Sequence, residues 1–290
     1  MKIADILKSG RPSVSFEVFP PKREAPLEPV KDAVRRLASE RPAFMSVTYG
    51  AAGGTSSANT GAIAEFVERE CGLTALAHLT CVNATREGIE REAERLVAAG
   101  VENVLALRGD LPQDAEEPPP GHFSHAVELV RWLKERHPGL CLGGACYPEG
   151  HPESAHLADD IAHIKEKTDA GVDFLTTQMF FDNNVFFHYL ARLRDAGVTV
   201  PVVAGIMPVT NGRQIARICE LSGTHLPPRF RAIVDRFGDD PAAMLGAGVA
   251  YATEQIVDLF ANGVNHVHVY TMNKPELARR IMDNLRGIVA

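Results

Sequence analysis

The sequence predicts an α/β protein: a single (β/α)8 TIM barrel over residues 1–290, with an extra loop or helix after strands 4 and 7. Three observations predict it. Short apolar, β-branched runs recur eight times, each followed by a longer segment with apolar residues at helical spacing. No two runs are joined by a hairpin signal, so neighbouring strands pair in parallel through right-handed crossovers. The length of 290 residues suits such a barrel, which takes roughly 250, and no compositional break marks a second domain. A doubly wound open sheet would alternate in the same way; the count of eight favours a closed ring.

The runs, in order, are 14–19 (VSFEVF), 44–49 (FMSVTY), 75–80 (ALAHLT) and 103–108 (NVLALR), then 141–146 (CLGGAC), 174–179 (FLTTQM), 200–204 (VPVVA) and 266–271 (HVHVYT). Between them lie amphipathic segments such as 88–99 (GIEREAERLVAA) and 255–261 (QIVDLFA). Glycines in AAGVENV, HPGLCL, DAGVDFL, DAGVTVP and ANGVNHV fall where a helix ends just before a strand, and supply the left-handed cap preferred there. Two segments exceed a plain barrel: the acidic, proline-rich stretch 111–122 after the fourth strand, and 221–240 after the seventh, with Pro227, Pro228 and a short basic helix. Both leave from strand C-terminal ends, where a barrel carries its active site, which favours a functional role.

Hydrophobic residues make up 45% and charged residues 23% of the chain, a soluble globular composition. A net charge of -7 argues against nucleic acid or an anionic membrane surface as the main partner. No apolar run approaches the ~20 residues that span a bilayer. The opening MKIADILKSGRPS has charges at both ends and no apolar centre, unlike a secretory leader. Five cysteines without a CxxC pair form neither a disulfide framework nor a zinc knuckle. The expectation is a cytoplasmic protein.

Apolar side chains fill a barrel's interior, so polar residues inside or ending strands are candidate site residues. They are Glu17 in the first strand, His78 in the third, Arg108 and Asp110 at the end of the fourth, Tyr147 after the fifth, Gln178 in the sixth and Tyr270 in the eighth. Glu17, flanked by Phe16, Val18 and Phe19, reads either as a partly desolvated general acid or as half of a structural ion pair with an arginine. Arg108-Gly109-Asp110 offers close backbone approach to a ligand, or a turn closed by a salt bridge. His151, His156 and His163 have no companion at a familiar metal-ligand spacing, so no metal is assigned. Lys167 reads in isolation as a surface residue, or as a partner of Asp160 or of a phosphate. No P-loop or GxSxG elbow occurs, and GAGVAY from Gly246 lacks the third glycine and the preceding strand of a dinucleotide fingerprint.

The strings SFEVFPPK, FMSVTYGA, AHLTC, ALRGDLP, YPEGHPE, TTQMFFD, GIMPVTN and VHVYTMN fall in order from about residue 13 to 274. Together they resemble the methylenetetrahydrofolate reductase family, flavin-dependent barrels of one-carbon metabolism, in its bacterial, catalytic-domain-only form. The resemblance implies reduction of 5,10-methylenetetrahydrofolate to 5-methyltetrahydrofolate by NAD(P)H, in ping-pong order through bound FAD. It implies that Glu17 is the general acid that opens the folate's five-membered ring to an iminium, and that Asp110 lies near flavin and pterin. It further implies that Thr48, Tyr49, Ala51, His78, Arg108, Gly109 and Asp110 contact the flavin, and that Tyr147, His151, Asp160 and Lys167 hold the ribityl and diphosphate. Gln178, Gln214 and Lys274 are implied as substrate contacts.

Three positions depart from well-known family members: Ile218 stands where a stacking phenylalanine is common, Glu166 where some relatives have a basic residue, and Lys274 where some have arginine. A glutamate beside the diphosphate implies weaker FAD binding, unless that helix face turns outward. Folate and NAD(P)H are the implied small-molecule partners, with a homo-oligomer as the implied assembly. Two alternatives are a non-redox pterin-binding barrel of methyl-carrier or transferase type, and a reductase fed electrons by a partner subunit.

Overall fold

In the computed structural model, which describes residues 1–21, 25–49, 55–111, 119 and 121–289, eight parallel strands close into a ring in chain order. The strands are β1 (Ser13–Val18), β2 (Met45–Val47), β3 (Ala75–Thr80), β4 (Asn103–Leu107), β5 (Cys141–Cys146), β6 (Phe174–Thr177), β7 (Val202–Ile206) and β8 (His266–Tyr270). Closure comes from β1 pairing with β8, with Glu17 opposite Tyr270. A short helix α1 (Ile3–Leu7) precedes β1, and the crossovers run through α2 (Glu28–Ala38), α3 (Thr55–Arg69), α4 (Arg86–Ala98), α5 (Ala126–Arg136), α6 (Leu157–Asp169) and α7 (Asn183–Asp195). Between β7 and β8 stand three helices, α8 (Gly212–Ser222), α9 (Pro228–Phe237) and α10 (Pro241–Ala261), and α11 (Pro275–Leu285) follows β8.

All eight sequence runs become strands, 75–80 and 141–146 with the same bounds and the other six with shifted ends. β2 is short because Thr48 and Tyr49 leave its ladder, although the Thr48 N–H still donates to the Val18 carbonyl at 3.0 Å. β6 stops at Thr177, leaving Gln178 and Met179 at the barrel mouth. β7 begins at Val202, two residues later than the run suggests, because Pro201 has no N–H for the ladder, and it continues to Ile206. Gly100, Gly171, Gly197 and Gly263 take the expected left-handed cap, with φ of 88°, 115°, 79° and 80°. HPGLCL does not: α5 ends at Arg136 with His137 as its C-cap, and Pro138 prevents continuation without a left-handed glycine. Most of the 111–122 segment lies outside the described residues, whereas the basic helix expected after the seventh strand is α9.

Two apolar layers hold the barrel. Outside, the strands' outward residues pack against the crossover helices in one continuous core. Inside, at the N-terminal end, Phe44, Leu76, Leu105, Phe174 and Val203 form a layer that Ile3 and Leu7 of α1 seal from below. GAGVAY lies within α10, where Gly248 serves close packing: a Cβ there would stand 1.9 Å from the Val209 carbonyl oxygen. That approach fixes the segment after β7 at the opposite, C-terminal mouth.

Candidate active site

A cavity of about 280 Å³ opens at the C-terminal mouth, lined among others by Glu17, His78, Tyr147, Gln178, Met207 and Tyr270. Small residues on β5 and β7 leave the room. Gly205 is the tightest of them: a Cβ there would lie 2.3 Å from the Thr177 carbonyl oxygen and 2.5 Å from the Tyr270 hydroxyl. Through that gap Tyr270 reaches across β7 and donates to the Thr177 carbonyl at 2.6 Å.

Glu17 is held from its backbone, whose carbonyl accepts from Thr271 Oγ1 at 2.6 Å. Its side chain is 20% exposed, and the ionisable group beside it is His78, with Nε2 3.8 Å from Oε2. An arginine partner, the structural alternative for this residue, is not found among the described residues. Burial alone raises the Glu17 pKa to about 8 and lowers that of His78 to about 3. At neutral pH the carboxyl is therefore mostly protonated and the imidazole neutral, because burial disfavours charge on both.

The residues assigned to the flavin side gather at the ends of β4 and β5. Arg108 pairs with Glu153 through two hydrogen bonds of 2.5 and 2.6 Å, and not with Asp110. Gly109 has φ +83°, and a Cβ would come within 2.9 Å of the Thr80 side chain. Asp110 is exposed, its carbonyl receiving Asn83 Nδ2 at 2.6 Å. Tyr147 and His151 meet edge to face at 4.6 Å.

Asp160 and Lys167 share one face of α6. Asp160 is buried, its Oδ2 has no hydrogen-bond partner, and its pKa is raised by burial, which outweighs Lys167. Lys167 is not the surface residue it seems in isolation: its ammonium donates to the Ala145 carbonyl at 2.7 Å, and burial lowers its pKa. Glu166 points elsewhere and pairs with Arg131 of α5 at 2.8 Å, so the departure at that position faces outward.

The remaining expected residues divide. Thr48 is tied through its carbonyl to Thr60 Oγ1 at 2.9 Å, and Tyr49 packs on the outer core. Ala51 lies outside the described residues. Gln178 lines the cavity, its Oε1 accepting from the Met179 N–H at 3.2 Å. Gln214 does not line it: Ile215 takes the buried face of α8, and Gln214, about 100° around the helix, is exposed. Lys274 joins the β8 and β7 loops by donating to Thr210 Oγ1 at 2.9 Å. Ile218 packs on the cluster around Met179, Phe181 and Phe230.

Three features escaped the sequence reading. One is the Tyr270–Thr177 bridge. Another is Asn273, which accepts from the Phe19 N–H at 3.0 Å and donates to the Phe19 carbonyl at 2.8 Å, clamping the loop after Glu17. It does so from φ 52°, next to Met272 at 53°, a strained pair of left-handed non-glycine residues. The third is His268, bonded by Ser15 and Ser46 at 2.7 and 2.9 Å. The alternation HVHVY was its available signal, since it turns two histidines and a tyrosine to the same side of one strand.

A closed parallel barrel with a buried carboxyl and a ligand-sized cavity at its C-terminal mouth places the chain among (β/α)8 proteins, which carry their sites at that mouth. Solved structures share this fold: an uncharacterized protein from Clostridium thermocellum that binds two copies of 5-methyl-5,6,7,8-tetrahydrofolic acid superposes with a TM-score of 0.66 at 12% identity, over 100% of both chains. The family model for methylenetetrahydrofolate reductase matches residues 2–286. The chain is 35% identical to 5,10-methylenetetrahydrofolate reductase of Pectobacterium carotovorum, covering 95% of this chain and 91% of that one. It is also 35% identical to methylenetetrahydrofolate reductase (NADH) 1 of Arabidopsis thaliana, over 98% of this chain and 51% of the relative, and so spans about half the length of its plant relatives. The chain belongs to the methylenetetrahydrofolate reductase family. Among the described residues, no helix is long and apolar enough to cross a membrane.

Proposed function

We propose that this protein reduces 5,10-methylenetetrahydrofolate to 5-methyltetrahydrofolate with NAD(P)H, using FAD held at the β4–β6 side of the mouth. The observation that carries the proposal is Glu17, a carboxyl that burial keeps protonated to about pH 8 at the edge of a ligand-sized cavity. Opening the five-membered ring of the folate requires a proton on a ring nitrogen, and a carboxyl with a pKa near the working pH is suited to give it. Asp110, exposed at the rim, would complement the cationic iminium that results.

The residues present fit FAD. The unpartnered Asp160 Oδ2 is a ready acceptor for a ribityl hydroxyl, and the adjoining Lys167 ammonium is a cation for the diphosphate. When bound, FAD supplies the two-electron relay between pyridine nucleotide and folate. Tyr147, His151 and Arg108 border that flank, and Gln178 and Tyr270 border the cavity from the other strands. One cavity beside one acid supports a ping-pong order, in which nucleotide and folate take turns.

The test is the visible spectrum of the purified protein given FAD, recorded without oxygen before and after NADH, then NADPH, then methylenetetrahydrofolate. A flavin band that bleaches with a nucleotide and returns with folate is the expected result. Protein that takes up no FAD overturns the cofactor assignment. A band that neither nucleotide bleaches overturns direct reduction by NAD(P)H and points to an electron-delivering partner.

A further inference from the structure

The chain that leaves β6 is held by its carbonyl oxygens. Residues 178–182, between β6 and α7, have no regular structure, yet Met179, Phe180 and Phe181 are buried. A buried carbonyl without a donor is costly, and here each finds one on a distant side chain. Thr224 Oγ1 donates to the Met179 carbonyl at 3.2 Å, Gln255 Nε2 to that of Phe180 at 2.9 Å, and the Tyr251 hydroxyl to that of Phe181 at 2.6 Å. Just before them, the Thr177 carbonyl accepts from Tyr270.

These donors are themselves fixed. Thr224 follows the left-handed cap of α8 at Gly223, and the N–H of the next residue, His225, donates to Glu149 Oε2 in the loop after β5 at 2.8 Å. Tyr251 and Gln255 stand one turn apart on α10. The Tyr251 ring stacks on Phe230 at 4.2 Å, and Phe230 meets Phe181 at 5.1 Å.

We propose that Thr224, Tyr251 and Gln255 are positioning residues for Gln178, and that bracing the exit of β6 is what the extra helices after β7 contribute to the site. This rests on the reading of Gln178 as a folate contact. Gln178 lines the cavity, whereas Thr224, Tyr251 and Gln255 do not. Its amide hangs on its own main chain: Oε1 accepts from the Met179 N–H at 3.2 Å, which leaves the Nε2 donors for a ligand. An amide held in that way is only as fixed as the peptide plane joining Gln178 to Met179. That plane is anchored on both sides. Before it, the Gln178 N–H donates to the Cys146 carbonyl at 2.7 Å; after it, Thr224 holds the Met179 carbonyl and α10 holds the next two. With those carbonyls released to water, the plane would turn and carry the amide away from the ligand.

The test has a substrate-free arm and a kinetic arm. Hydrogen–deuterium exchange without substrate, read on peptides covering 178–182, should be about 10-fold faster in T224V and Q255M than in the parent, with β1 to β5 unchanged. In FAD-loaded protein, T224V should raise KM for methylenetetrahydrofolate by about 3- to 10-fold, the worth of one net hydrogen bond, with kcat within about twofold. T224S, which keeps the hydroxyl, should hold the parental KM. In a Q178A background T224V should raise KM no further, because the amide it positions is gone. Full multiplication of the two effects, a T224S that behaves as T224V does, or unchanged exchange overturns the proposal. If T224V does not fold, Y251F decides in its place, since it loses one oxygen and keeps its stacking on Phe230. Faster exchange in the variants of a protein whose parent does not reduce folate would sink the reading of Gln178 while leaving the brace standing.

Discussion

Glu17 sets activity against stability. Its pKa rises from 4.5 to about 8 on folding, so between those values the native state keeps a proton that the unfolded chain releases. Its contribution is fully present below about pH 4.5 and is lost as pH climbs through 8, a loss of about 3 kcal/mol by pH 7. His78 runs the other way: with its pKa lowered from 6.5 to about 3, it favours the fold above pH 6.5 and loses that contribution as pH falls through 3. Glu17→Gln should therefore be more stable than the parent at pH 7 by about 3 kcal/mol, with the gap closing near pH 4, as measured by denaturant unfolding across that range. The same substitution should leave flavin reduction by nucleotide intact and slow folate reduction by about 10²–10⁴-fold. In the parent enzyme folate reduction should decline above pH 8, as the acid loses its proton. Equal slowing of both half-reactions would make Glu17 structural.

At the scale of elements, α6 and β7 each tie a buried polar contact to the residue pattern that permits it. On α6, Asp160 and Lys167 are two turns apart and face inward, while Glu166 turns to Arg131. Lys167→Ala should weaken FAD retention by about 10- to 100-fold, the worth of a charge-assisted hydrogen bond, whereas Glu166→Ala should leave it unchanged; flavin content after dialysis distinguishes them. On β7, Gly205→Ala should break the Tyr270–Thr177 bridge and cost about 1–3 kcal/mol by overpacking, visible as a lowered Tm. The sequence showed the strands and their order, because apolar periodicity and turn chemistry are local. It showed Glu17 and His78 as polar exceptions in apolar strands, whereas Lys167 read as a surface residue and only the family resemblance pointed to it. It did not show the Tyr270 bridge, the Asn273 clamp or the lock on His268, since each joins residues far apart in the chain: Tyr270 with Thr177, Asn273 with Phe19, His268 with Ser46. Nor did it show that Gln214 turns outward, which the burial of Ile215 decides.

For the whole molecule, the barrel separates stability from chemistry by the height of its strands, about 17–20 Å for five or six residues. The N-terminal end is closed by α1, which at five residues owes its existence to packing and not to helix propensity. Ile3 and Leu7 are buried there against the lowest interior layer, and Asn103 fixes the helix by accepting from the Ile3 N–H at 2.8 Å. No residue of that plug lines the mouth cavity. Leu7→Ala should thus cost about 2–5 kcal/mol of unfolding free energy, leaving the proton affinity of Glu17 and the rate per folded molecule at their parental values. Combined with Glu17→Gln, it should give a stability change equal to the sum of the two single changes within about 0.5 kcal/mol, because the plug and the carboxyl lie on opposite sides of the layer that Leu76 and Leu105 form. A larger coupling would mean that the interior column of serines and histidines transmits strain from plug to mouth, and that the two ends of the barrel do not divide their tasks.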